Sequence, residues 1–382
     1  MIKYVTAGES HGKMLVGILE NLPAGLFIDE KFVNNELYRR TLGYGRGGRM
    51  KIERDAVEFV TGVRAHTSTG APVTALIVNK DHENWKDVMG AHATKTDERA
   101  LTAVRPGHAD LSGVVKYGFD DARNVLERAS ARETAMKVAL GAVAKLYLKR
   151  LGIEVCSHTV ALGGIVAAKI DVAAERINGI ADADPVRCLD GKASAAMVER
   201  INLAAKNGDT LGGVSEIIVT GVKSGAGSYV SASRKLDGAI MSAVGCVQSV
   251  KAVEIGDGIE NASRFGSEVH DAVYTDGGRL FRKTNRAGGI EGGMSDGEPI
   301  VVRAYFKPIP TLMRGLDTVD IKSGEKTVAA AERSDTCVVA AGGVVCEAAV
   351  SLALADVLSD MLGGDTVDEV VARYAAKRGV YD

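Results

Sequence analysis

The apolar positions of this chain follow two spacings, helical and alternating, and the spacing changes several times along its length. Behind Asp29, a favourable N-cap, Phe32, Val33 and Leu37 share one face of a helix that runs toward Arg40. Glycines in residues 43–48 break it. Residues 50–52, 57–61 and 73–78 are β-branched or alternating and are separated by Gly62 and by Gly70-Ala71-Pro72, which predicts strands. The strongest helical period runs from about Asp121 to Lys149, where Ala135, Val138, Ala139, Ala142, Val143 and Leu146 recur on one face before Gly152 stops it. That face is narrow and alanine-rich, so it predicts close packing against a second helix. Residues 212–220 and 299–306 read as strands, 348–362 as a buried helix, and the Ala-rich, charged stretch 166–207 as helical. Strands and helices do not alternate strictly, which argues against a doubly wound parallel sheet. No repeat or low-complexity linker interrupts residues 1–382, so a single α+β domain is expected.

Composition excludes more than it identifies. The 47 basic and 49 acidic residues nearly cancel, so binding of nucleic acid through bulk positive potential is disfavoured, and any polyanion must be met locally. The N-terminal residues lack a signal peptide's organisation, and the most apolar stretch, 337–346, is short and followed by Glu347, so neither export nor a membrane span is expected and the chain reads as cytoplasmic. Five cysteines, scattered and never spaced C-x-x-C, read as reduced thiols, and no metal site is expected. The 45 glycines against 7 prolines are the unusual feature, because many of them flank Arg, His or Lys.

Gly43-Tyr44-Gly45-Arg46-Gly47-Gly48 has the spacing of a dinucleotide-binding loop, but that loop needs a strand before it and a helix after it, whereas here a helix precedes and a strand-like segment follows. What marks this turn is the crowding of Arg39, Arg40, Arg46 and Arg49. Glycine lets backbone approach a ligand, and arginine offers a two-pronged donor to phosphate or carboxylate. His11 in Gly8-Glu9-Ser10-His11-Gly12 and His108 in Arg105-Pro106-Gly107-His108-Ala109-Asp110 are candidate proton donors, since imidazole titrates near neutrality. Most loop histidines are merely solvated, and only their glycine-bounded settings raise these two above the rest. The stretch 123–135 opens the long helix and reads first as a solvated face of Glu/Arg pairs; Ser130, Ala131 and Thr134 are small enough to let a flat ligand lie close. In Lys307-Pro308-Ile309-Pro310-Thr311 two prolines fix φ and hold Lys307 and Thr311 in place. Arg333-Ser334-Asp335 is an ordinary ion-pair motif unless a cofactor lies beside it, when Asp335 becomes a proton acceptor.

Taken together, residues 8–12, 43–53, 105–110, 123–135, 288–297, 307–311 and 333–335 resemble the chorismate synthase family in order and spacing across nearly the whole chain. The resemblance implies a β-α-β sandwich, antiparallel sheets around a helical layer, assembled as a homotetramer. It implies reduced FMN as cofactor, with NADPH a candidate reductant, and 5-enolpyruvylshikimate 3-phosphate as substrate for elimination of phosphate to chorismate. Carried over by motif, His11 resembles the histidine that protonates the reduced flavin, His108 the one that protonates departing phosphate, and Asp335 the carboxylate that helps remove the ring proton. Arg128, Ala129, Ser130, Gln248, Ser249, Gly292, Lys307, Pro308, Ile309, Pro310, Thr311 and Arg333 fall where the family contacts FMN. Arg40, Arg46, Arg49 and Arg132 match positions for the anions of the substrate or the phosphate of NADPH.

Two readings from other classes use some of the same residues. An NADPH:flavin oxidoreductase would share the flavin and the arginines, and the missing dinucleotide-loop context counts against it. A non-catalytic polyanion-binding module is opposed by the neutral charge balance and by an aromatic content of 5%, which leaves little for base stacking.

Overall fold

A computed structural model describes residues 1–47, 55–329 and 335–377 of the chain. Strands β1 (Lys3–Ala7), β2 (Met14–Glu20), β3 (Glu58–Thr61) and β4 (Val73–Val78) form one antiparallel sheet in the order β1-β2-β4-β3. Strands β5 (Glu154–Leu162), β6 (Ile165–Val166), β7 (Gly213–Thr220), β8 (Val250–Ile255) and β9 (Ile300–Phe306) form a second, in the order β8-β9-β7-β5-β6, again antiparallel throughout. Each sheet buries every second residue on one face, as Val73, Ala75 and Ile77 do on β4 and Ile300, Val302 and Ala304 on β9.

The helices are α1 (Glu30–Arg39), α2 (Asp110–Tyr117), α3 (Arg123–Ala129), α4 (Thr134–Arg150), α5 (Ala174–Ala183), α6 (Gly191–Lys206), α7 (Leu236–Gly245), α8 (Val339–Leu362) and α9 (Val367–Ala375), besides shorter turns. Helix α4 packs on the inner face of the first sheet, α8 on the inner face of the second, and the two pack on each other. The expected sandwich is therefore present, with its helical layer two helices deep. Small residues permit that thickness. A Cβ on Gly141 of α4 would lie 2.4 Å from the Cβ of Ala348 on α8, one on Gly342 would lie 2.6 Å from the Phe306 ring, and one on Gly17 of β2 would lie 2.5 Å from Met136 Sδ. Helix α8 is long and apolar enough to cross a bilayer, but 83% of its most apolar window is buried against sheet and helices, as in the core helix of a soluble fold.

Several expected elements shift. Asp29 caps α1 as expected, its carboxylate accepting from Lys31 N–H. The single helix expected from Asp121 to Lys149 is broken: α3 ends at Ala129, Ser130 takes an extended ψ of 141°, and its hydroxyl accepts from Arg132 N–H to start a 3-10 turn that leads into α4. The helix expected over 348–362 begins earlier, at Val339, because the Gly-rich run before it packs as helix. The strand expected at 50–52 lies outside the described residues.

The core also holds a charge cluster. Glu347 of α8 is fully buried. It accepts from Arg39 Nη1 and Nη2 at 2.8 and 2.9 Å, from Ser157 Oγ at 2.5 Å and from Lys145 Nζ. Arg39 also donates to Glu36 and Asp182, Lys145 donates to Glu36, and Arg187 donates to Ser157 and Asp182. Burial alone would raise the pKa of Glu347, but the charges of Arg39 and Lys145 outweigh it and hold the carboxyl well below the usual range. Arg39 therefore belongs to the core and not to the anion-binding turn where the sequence grouped it. Each helical residue turns the side chain by about 100°, so neighbouring Arg39 and Arg40 face different surroundings.

Close approach of α4 and α8 predicts opposite outcomes for two Gly→Ala changes. Gly141→Ala must push the helices apart and should lower stability by about 1–3 kcal/mol. Gly179→Ala, on α5 with nothing within 4 Å of the added carbon, should raise it by roughly 0.5–1 kcal/mol. Denaturant unfolding of both variants measures this, and a Gly141→Ala protein as stable as wild type contradicts the packing described.

Candidate active site

The site gathers where loops leave the ends of the sheets and helices. His11 lies in the turn between β1 and β2, which Gly8 enters at φ 105°; a Cβ there would meet Met14 O at 2.4 Å, so only glycine fits. Glu127 of α3, 1% exposed, grips this turn at two atoms. His11 N–H donates to Glu127 Oε2 at 2.8 Å, and His11 Nδ1 lies 2.9 Å from Oε1. Burial would raise the Glu127 pKa, but the hydrogen bond and charge of His11, with Arg123 behind, bring it below the usual value. Asn79 closes the turn from the other side, Nδ2 donating to the carbonyls of Glu9 and Gly12. Asn79 Oδ1 in turn accepts from Arg132, whose other donors reach Asp55 at 2.6 and 2.8 Å.

His108 has a matching arrangement. Its Nδ1 lies 2.6 Å from Oδ1 of Asp110, the fully buried first residue of α2, and Arg105 holds the same carboxylate with its backbone N–H, Nε and Nη2. Arg105 Nη2 is also 3.0 Å from His108 Nδ1. Both are donors toward Asp110, so the shorter contact to the carboxylate decides the tautomer: Nδ1 carries its proton and points it at Asp110. Burial would raise the Asp110 pKa, but the bonds from His108 and Arg105 pull it well below the ordinary range.

The rigid 307–311 run ties the parts together. Lys307 Nζ donates to Gly107 O beside His108, Lys307 N–H donates to Ser249 O, and Ile309 O accepts from Thr210 Oγ1. Leu211 N–H then donates to Thr336 O, and Thr336 N–H to Gly45 O, which brings in the Gly-rich turn. There Asp335 accepts from Gly47 N–H at 2.6 Å and lies 3.3 Å from Arg46 Nε. Arg40 donates to Thr134 Oγ1 and Ala131 O at the start of α4. On the His11 side, Arg128 donates to Gly8 O, Thr6 O and Thr6 Oγ1, and Glu133 accepts from both Thr6 and Gln248.

His11, His108, Asp335, Arg40, Arg46, Arg128, Gln248, Ser249 and Lys307 thus sit in one continuous contact network, with Arg132 bracing it through Asn79. Gly292 lies in the hairpin of Ile290–Glu291 and Met294–Ser295, where Leu236 N–H at the start of α7 donates to Gly293 O. Arg49 and Arg333 lie outside the described residues. The cavity of about 610 Å³ lined by Met1, Asn21, Tyr147 and Thr366 is at the opposite end of the first sheet from the His11 turn. Sequence reading missed Glu127 and Trp85, which stacks on His11 with ring centroids 3.9 Å apart. Glu127 looked like one more solvated helix charge. The one available signal was that Trp85 is the only tryptophan in the chain.

Asp110 gives this geometry a pH signature. Its pKa is depressed on folding, so its contribution to stability is complete above the unfolded carboxyl's value of about 3.9 and is lost as pH falls through the folded value. Asp110→Asn should be less stable than wild type at neutral pH, and the gap should narrow once pH drops below about 4. Denaturant unfolding across that range checks it; a gap independent of pH contradicts the bond pattern.

The profile of the chorismate synthase family matches residues 2–359. A chorismate synthase from Geobacillus sp. (strain WCH70) is 48% identical over 385 residues, covering 98% of this chain and 99% of that protein. One from Alkaliphilus metalliredigens (strain QYMF) is 47% identical, covering 97% of each. A crystal structure of chorismate synthase superimposes with a TM-score of 0.79 at 36% identity, over 98% of this chain and 96% of that one.

Proposed function

The chain belongs to the chorismate synthase family, and from that premise we propose how its residues divide the reaction. It is a carbon–oxygen lyase of aromatic amino-acid biosynthesis that acts on a small molecule, and the family works with reduced flavin. We assign it 5-enolpyruvylshikimate 3-phosphate as substrate, reduced FMN as flavin, NADPH as a candidate source of the reducing electrons, and a homotetrameric assembly. The observation that carries the reading is the pairing of each glycine-bounded histidine with a buried carboxylate, His11 with Glu127 and His108 with Asp110.

The residues present suit a flavin phosphate and ring. Gln248 Oε1 is buried without a hydrogen-bond partner among the described residues, Ser249 takes a positive φ of 71°, and Lys307 is lowered in pKa by burial and by neighbouring Lys251, a pair of cations that an anion would relieve. Arg128, Ala129, Ser130, Gln248, Ser249, Lys307 to Thr311, Gly292 and Arg333 would hold it. When bound, reduced flavin supplies electron density while the allylic C–O and the C–H bond break, and recovers it afterwards.

The rest is work for the chain's own side chains. His108, with Nδ1 committed to Asp110, offers a proton from its other nitrogen to the departing phosphate. His11, fixed likewise by Glu127, holds a proton on the flavin side. Asp335, steadied by Gly47 N–H and Arg46, accepts the ring proton. Arg40, Arg46 and Arg49 meet the phosphate and two carboxylates of the substrate, which is why a chain of neutral charge balance concentrates arginine here.

Substrate and chorismate differ by phosphoric acid alone, so the flavin must end as it began. Under strict exclusion of oxygen, chorismate formed per flavin oxidised should be far above one, and His11→Ala and His108→Ala should each lower turnover at least about tenfold, the low end for losing a general acid. A ratio near one would favour the oxidoreductase reading, and wild-type turnover in both variants would contradict the histidine roles.

A further inference from the structure

Trp85 is held on both faces. The His11 ring stacks on it with centroids 3.9 Å apart and planes 23° off parallel, and the Arg99 guanidinium carbon lies 3.8 Å from the same indole. Two groups that near one ring centroid cannot share a face, so His11 and Arg99 sandwich the indole. Its edge is fixed too: Trp85 Nε1 donates to Asp81 Oδ2 at 3.1 Å. Arg99 is anchored from behind, its carbonyl accepting from Arg123 Nε at 2.8 Å, and Arg123 in turn reaches Glu127 at 3.5 Å. The segment bearing Trp85 is otherwise a run of short helical turns, Lys80–Asn84, Lys86–Met89 and Thr96–Arg99, with mostly exposed side chains. Its other hold on the His11 turn is His82 Nδ1, 3.1 Å from His11 O.

We propose that Glu127 and Trp85 are positioning residues for His11, the carboxylate fixing its tautomer and the Arg99-backed indole fixing its rotamer, so that one ring nitrogen is aimed at the reacting groups. The inference rests on the reading of His11 as a proton donor. An imidazole can turn about two side-chain bonds and carry its proton on either nitrogen, so a lone loop histidine is poorly organised for transfer. Glu127 removes the tautomeric freedom by taking Nδ1, and with the backbone N–H as a second point on the same carboxylate it also holds the main chain. Trp85 removes the rotational freedom through a stack that also favours a charged imidazole over the indole face. Among the described residues, the charged and titratable groups on the elements that meet this ring are Glu127 and Arg123 from α3, His82, Asp81 and Arg99 from the 80–99 segment, and Glu9 and Lys13 from its own turn.

Because Trp85 is the only tryptophan, the stack reports on itself. The full chain, before flavin is added, is titrated from about pH 9 to about pH 5, a range that brackets imidazole, while tryptophan emission is read. Protonated imidazole in contact with indole quenches it, so emission should fall as pH drops, and the step should vanish in His11→Gln. Glu127→Gln and Trp85→Ala should lower kcat at least about tenfold with KM little changed, whereas Trp85→Phe, which keeps a ring to stack, should restore most of it. An emission step that persists in His11→Gln, or a Glu127→Gln protein that turns over like wild type, overturns the proposal. Wild-type turnover in His11→Gln with the emission step lost is a different result: it overturns the proton-donor reading of His11, and the positioning role falls with it.

Discussion

A carboxylate with no access to water sets the terms for this fold. Glu347 is buried on a helix that is itself enclosed between sheet and helix, and an ionised group there survives only if its partners arrive in the right places. Three cations, Arg39, Lys145 and Arg187, meet three carboxylates, Glu36, Asp182 and Glu347, so the cluster is neutral as a whole. It draws together α1, α4, α8, α5 and, through Ser157, β5. Burying these groups is expensive, and a hydrocarbon cluster of equal volume would hold helices together as well or better. What ions add is direction. Gly141 and Gly342 let α8 approach its neighbours closely enough to slide, and the paired charges permit one register.

The site inherits its precision from that register. Arg40, bonded to the start of α4, follows immediately on Arg39 of the cluster, and the Gly-rich turn comes next. Asp335 lies just before the start of α8 at Val339, and Glu347 sits further along the same helix. The helix that carries the core carboxylate therefore starts four residues after Asp335. The His11 turn is fixed to α3 by Glu127 and braced by Asn79 and Arg132. Both histidines thereby receive the same treatment: a glycine-bounded loop gives reach, and a buried carboxylate from a helix gives orientation. The Lys307 run spans the distance between them.

Much of this was legible in the chain, and the divide has a physical cause. What is written in local spacing could be read: the glycine-bounded turns around His11 and His108, the proline-stiffened 307–311 run and the small residues through which α4 meets α8. Interactions between distant residues could not. Nothing near Glu127 in sequence says that it meets His11, and nothing near Glu347 says that Arg39 comes to it from more than three hundred positions away. The break at Ser130 escaped because a hydroxyl that caps a new turn and one on a solvated helix face look alike in sequence.

The most direct test of the frame is therefore a substitution in the cluster that touches no residue of the site. Glu347→Gln keeps shape and removes one charge, leaving three buried cations with two carboxylates. The account predicts a loss of about 3–5 kcal/mol in denaturant unfolding, the scale for breaking a buried pair. Stability equal to wild type would contradict the claim that this cluster holds the fold in register.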